Sequence, residues 1–178
     1  MASHRLALQP YRLGKFFTSG HYLQFMNHLV TKLSKFNALS WPEKRTLLAA
    51  MAWLPLFFFG LHILGLRRFQ DLLQHDRPSV ESALTQDEIV RIATLVNIAA
   101  RRASIPATCL TRSLLLRWML QRRGVVSQLR IGVRLNQGTL DAHAWVEFAG
   151  VPINDRPDVG VQFAPFAEIL PPGAFHSP

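Results

Sequence analysis

A chain of 178 residues with 49% hydrophobic residues has enough apolar material for one domain with a real core, and no more than a helical extension besides. A single cysteine excludes an internal disulfide, so nothing demands an oxidising compartment. The net charge of +9 is uneven: residues 1–80 hold ten Lys/Arg against three Asp/Glu, whereas residues 81–178 hold ten against eight. A basic front end favours an acidic partner such as a peptide, a lipid surface or nucleic acid.

Residues 1–20 read as irregular, without the compact apolar run and small-residue cleavage site of a secretory signal; the expected location is the cytoplasm. From His21 to Phe36, Leu23, Met26, Val30 and Leu33 recur at three- and four-residue steps, the period of a helix face. Ser40-Trp41-Pro42-Glu43 starts a second helix: Ser40 can cap free amides, Pro42 suits the first turn, and Glu43 holds the capping-box position.

Leu47 to Leu66 is nearly continuously apolar and approaches the length of a membrane span. Pro55, Gly60, His62 and Gly65 interrupt it, which favours a pair of buried helices broken near Pro55 and Gly60 over a span. Membrane contact is possible but not favoured. His75-Asp76-Arg77-Pro78-Ser79 is a polar break. It separates a basic helical region, residues 1–80, from a core over residues 81–178, the two expected to form one structural domain.

Thr85-Gln86-Asp87-Glu88 is another capping box, and Ile89, Ile92, Ala93, Val96, Ala99 and Ala100 form the stripe behind it. Pro106 disfavours helix at Ile105, and Thr108 is a suitable N-cap, so Cys109 falls in the first turn of a helix that Gly124 ends. This helix is apolar nearly all round and is expected to be central. The period then changes. Val125 to Leu135 reads as a strand, Asn136-Gln137-Gly138 as a turn, and Ala142 to Phe148 as a strand with His143, Trp145 and Glu147 on one face. After Ala149-Gly150, Val151 to Asp155 completes an antiparallel meander; the tail from Pro171 is expected to be loose. The fold class is α+β.

A thiol attacks as thiolate, and the unpaired amides and positive dipole of a helix start favour that form. An imidazole can take the thiol proton and return it to a leaving amine, while a carboxylate on its other nitrogen fixes the tautomer. Cys109 heads a helix, His143 projects from a strand, and Asp155 lies one short hairpin later. Individually these are a small buried hydrophobe, a structural histidine and a turn aspartate. Together they make a candidate thiol nucleophile with an oriented base. The scattered His and lone Cys give no metal-ligand spacing, and motifs for nucleic acid or phosphate are absent. No metal, cofactor or nucleic acid is expected.

At Cys109-Leu110-Thr111-Arg112-Ser113, Arg130-Ile131-Gly132-Val133, Ala142-His143-Ala144-Trp145-Val146-Glu147 and Asn154-Asp155 the chain resembles the lasso-peptide B proteins, specifically their C-terminal leader peptidase. That family belongs to the transglutaminase-like, papain-like cysteine proteases, and the resemblance spans roughly residues 40–170. It implies a Cys109–His143–Asp155 triad, with Trp145 and Arg112 shaping or supporting the site. It also implies removal of a leader from a ribosomally made precursor, after which an asparagine-synthetase-like cyclase closes the macrolactam. Residues 1–39 are too short and too helical for the family's leader-recognition domain. The stand-alone form is therefore implied, with a separate recognition protein. Two alternatives stay open: acyl transfer through the same thioester, and a non-catalytic, membrane-associated adaptor built on Leu47–Leu66.

Overall fold

The computed structural model describes residues 34, 36–74 and 83–166. Most of the helix expected over His21–Phe36, the irregular first 20 residues, the break at His75–Ser79 and the tail from Pro171 lie outside the described residues. The chain divides into two compact units, Met1–Ser40 and Trp41–Pro178. In the first, Ala38 N–H donates to Ser34 O at 3.0 Å. The second holds all the elements that follow.

Helix α1, Trp41–Gln74, starts where its capping sequence placed it, with Pro42 in the first turn. Leu47, Ala50, Leu54 and Phe57, spaced by three or four residues, are buried. This face packs on two later helices, and Trp53 and Phe57 lie 4.8 and 5.4 Å from the ring of Trp118. Burying side chains such as Leu54 and Phe57 contributes about 1.5–3 kcal/mol each.

Two expectations for this helix are corrected. The break falls at Gly65, whose φ of 73° and ψ of 169° lie outside the helical region, and not at Pro55 or Gly60. Pro55 removes the hydrogen bond to the Met51 carbonyl, and Met51 lies on the exposed side, where water can replace that bond. Gly60 is instead a seat: a Cβ there would lie 2.5 Å from the Phe69 ring. Nine residues of straight helix would separate the pair by about 13 Å, so the bend at Gly65 folds Phe69 back onto Gly60 and Phe57, whose ring centroid is 5.2 Å away.

The run is also not a pair of buried helices. Only 22% of its most apolar 18-residue window is buried, and the helix is long and apolar enough to cross a membrane by length and composition. Leu48, Leu56, Phe59 and Ile63 make an outward apolar stripe, exposed by 53–78%.

Helix α2, Gln86–Arg102, has both halves of the predicted capping box: Thr85 Oγ1 accepts from Glu88 N–H, and Glu88 Oε2 accepts from Thr85 N–H at 2.8 Å. Ile89, Ile92, Ala93, Val96 and Ala99 are buried as the stripe requires, and Arg91 pairs with Glu43 of α1. Helix α3, Cys109–Gln121, is capped by Thr108, whose hydroxyl accepts from Thr111 N–H at 3.1 Å. Gly124, at φ 74°, reverses the chain, and Val125 N–H returns to Leu120 O. Leu114, Leu115, Leu116 and Leu120 are 0–2% exposed, so α3 is the central helix.

Four antiparallel strands follow in the spatial order β3-β2-β1-β4: β1 Gln128–Asn136, β2 Thr139–Phe148, β3 Val151–Pro152 and β4 Ala164–Pro165. Gln137 and Gly138 join β1 to β2, and Ala149 and Gly150 join β2 to β3, all with positive φ. This is the two-residue hairpin geometry that matches strand twist. β4 and the single-turn helix α4, Val159–Gln162, carry no local pattern and were not expected. The observed architecture is α+β, helices first and a small antiparallel sheet after them, with α3 packed on β2.

Candidate active site

β2 and the chain after it set out the polar centre. The expected third strand is shorter than its sequence implied. β3 stops at Pro152: Ile153 N–H still reaches Val146 O, but Val146 N–H turns to the side chain of Asn154, so Asp155 sits in a bend beyond the strand. The bend still brings its carboxylate to His143: Nε2 donates to Asp155 Oδ2 at 2.8 Å, with both side chains about one-fifth exposed. A carboxylate only accepts, so Nε2 carries a proton, which in the neutral ring leaves the lone pair on Nδ1. Asp155 Oδ1 accepts from Arg156 N–H. Arg112, one turn into α3, places Nη2 3.5 Å from Asp155 Oδ2. The histidine, aspartate and arginine singled out from sequence are therefore brought together.

Cys109 is a half-buried free thiol at the head of α3. Arg112 and Ser113, three and four residues on, share its helix face. Arg112 reaches Asp155, and Ser113 reaches the carbonyl of Ala144, next to His143. The face that carries the thiol is thus turned toward the strand that carries the imidazole. Thr108 already serves the Thr111 amide; those of Cys109 and Leu110 have no acceptor within the helix. They are donors suited to a developing oxyanion.

Trp145 is fully buried and packs with Val159 and Phe163. Its Nε1–H donates to Glu147 Oε1 at 2.8 Å, and Arg130 Nε holds the other oxygen at 2.9 Å. The Trp145 ring is 6.3 Å from that of His143 and inclined by 23°. On its sheet face it is both packing and a wall of the site. Gly132 pairs with His143 across the sheet, and a Cβ there would lie 3.0 Å from Trp145, Phe163 and the Ala164 carbonyl. Gly132 therefore makes room for the layer that backs the imidazole.

Phe163 escaped the sequence reading. Its ring lies 4.9 Å from that of His143, and the Arg134 guanidinium sits 4.5 Å above its centroid. No local pattern marks it, since α4 and β4 are too short for periodicity. Ser113, Asn154 and Asn97 were also missed. The signal available was a serine at the fifth position of α3, directly before the buried run Leu114-Leu115-Leu116.

No curated protein and no solved structure matches the chain. A family model does: that of the transglutaminase-like superfamily, over residues 53–168, from within α1 through every residue of the site. With the model covering more than half its length, the chain belongs to the transglutaminase-like superfamily.

Proposed function

We propose that this protein is a cysteine peptidase that removes the leader from a ribosomally synthesised lasso-peptide precursor. One observation carries the catalytic part: the His143–Asp155 hydrogen bond, made at 2.8 Å beside the helix that Cys109 heads. Superfamily membership supports thiol chemistry of the peptidase or acyl-transfer kind. The substrate class rests on the resemblance of the Cys-Leu-Thr-Arg-Ser, Ile-Gly-Val and His-Ala-Trp-Val-Glu segments to the lasso leader peptidases.

In this reading Nδ1 of His143 takes the Cys109 proton, and the thiolate attacks the scissile carbonyl. The amides of Cys109 and Leu110 stabilise the oxyanion. Collapse of the intermediate breaks the C–N bond; the amine leaves with the proton from His143, and a thioester to the leader remains. Water, deprotonated by the same imidazole, hydrolyses it and regenerates the thiol. Asp155 steadies the imidazolium, and Arg112 supports Asp155. No cofactor enters these steps. The protein acts in the cytoplasm with a separate recognition protein that presents the leader, and it hands the freed amine to an asparagine-synthetase-like cyclase.

Mass spectrometry of the precursor after incubation, with and without an added primary amine, tests this reading. The expected products are free leader acid and core peptide in both cases. Leader amide as the main product in the amine arm would assign acyl transfer instead.

A further inference from the structure

Beyond Pro152, no strand among the described residues pairs with the edge of β2, and one backbone bond and two side chains take its place. Asn154 Oδ1 accepts from Val146 N–H at 2.8 Å, while Ile153 N–H donates to Val146 O at 3.0 Å. Ser113 Oγ donates to Ala144 O at 2.9 Å and accepts from Asn154 Nδ2 at 2.9 Å. Asn97 of α2 donates its Nδ2 to Asn154 O at 2.9 Å. Ser113 is fully buried and Asn154 is 4% exposed.

These bonds join the three elements that carry the proposed triad. Ser113 lies one turn below Cys109, Ala144 follows His143, and Asn154 precedes Asp155. We infer that Ser113 and Asn154 are positioning residues, which lock the height of α3 against β2 and so set Cys109 against His143 and Asp155. This rests on the proposed Cys109–His143 chemistry. Apolar side chains of similar volume would fill the same space without fixing a register, because dispersion is not directional whereas these bonds are. A slip of one residue along α3 is about 1.5 Å, and a misplacement of about 1 Å can cost about 10²-fold in rate.

Cys109 is the only cysteine, so alkylation of the full chain by iodoacetamide reports on it alone. His143→Ala calibrates what the imidazole contributes: its rate at neutral pH falls about tenfold, because the thiolate is the reacting form. Ser113→Ala and Asn154→Ala reproduce most of that fall while melting cooperatively, and Ser113→Thr, which restores a hydroxyl, recovers it. The sign separates positioning from loosening, since a loosened fold would expose the half-buried thiol and speed the reaction. Folded Ser113→Ala and Asn154→Ala variants that alkylate at or above the wild-type rate overturn the positioning role alone. A His143→Ala variant that alkylates like wild type overturns the Cys–His reading and this inference with it. Should both network variants fail to fold, Asn97→Ala, at the half-buried end, replaces them: a smaller fall supports the inference, and an unchanged rate overturns it.

Discussion

In the proposed mechanism individual residues carry the chemistry, and each does so through a neighbour. Asp155 holds Nε2 of His143 and is held by Arg112, so its charge is shared between an imidazole and a guanidinium. Asp155→Asn keeps the shape but offers an amide that can donate where the carboxylate only accepts, which removes the preference for the Nε2–H tautomer. We expect kcat for precursor cleavage to fall about 10²–10⁴-fold with KM little changed, as for loss of a transition-state interaction. Steady-state kinetics on the purified variant check it; a KM effect alone would place Asp155 in substrate binding. At this scale the sequence was informative: Cys109, His143 and Asp155 were each named from residue type and spacing, and Arg112 from the resemblance. Phe163 was not, because its contact with His143 depends on how β4 adds to the sheet edge.

At the scale of elements, the legible parts were those governed by local rules. Thr85 and Thr108 cap where their hydroxyls meet free amides, and Gly124 and the two hairpin turns stop and reverse the chain where φ must be positive. The capping box of α2 also predicts a pH effect. The bond from the Thr85 backbone amide, and then that from its hydroxyl, hold the Glu88 carboxyl below its usual value. A carboxylate so lowered in the folded state stabilises the fold above its unfolded value, and the gain is lost as pH falls through the folded one. Thr85→Ala should therefore lower Tm by a few degrees near neutrality and by less at about pH 3. Thermal melts of both proteins at the two pH values test this, and an equal or larger gap in acid contradicts it. What sequence did not show at this scale depended on distant partners. Gly65 is the bend because Phe69 must reach Gly60, and β3 ends early because Asn154 takes over its bonding to Val146.

For the whole second unit, α1 has two apolar faces with different fates. One is built into the core beside Trp118; the other is open. The sequence of the segment is apolar throughout, which is why both a span and a buried pair were consistent with it. Spanning a bilayer would take Leu47, Ala50, Leu54 and Phe57 off α2 and α3 and leave the apolar faces of those two helices open to water. We propose that α1 stays in the domain, in which case an alkaline wash of membranes should release the protein into the supernatant. Retention in the pellet would favour the adaptor alternative.

The central claim is that Cys109, at the head of the helix packed on the strand that carries His143, is the nucleophile of leader removal. Cys109→Ala removes one sulfur atom from a half-buried position and leaves the Thr108 cap, Ser113 and Arg112 in place. Its far-UV spectrum and melting temperature should match wild type, while mass spectrometry of the precursor shows no leader released over a time in which wild type completes the cut. Release of the leader by this folded variant at the wild-type rate would contradict the account.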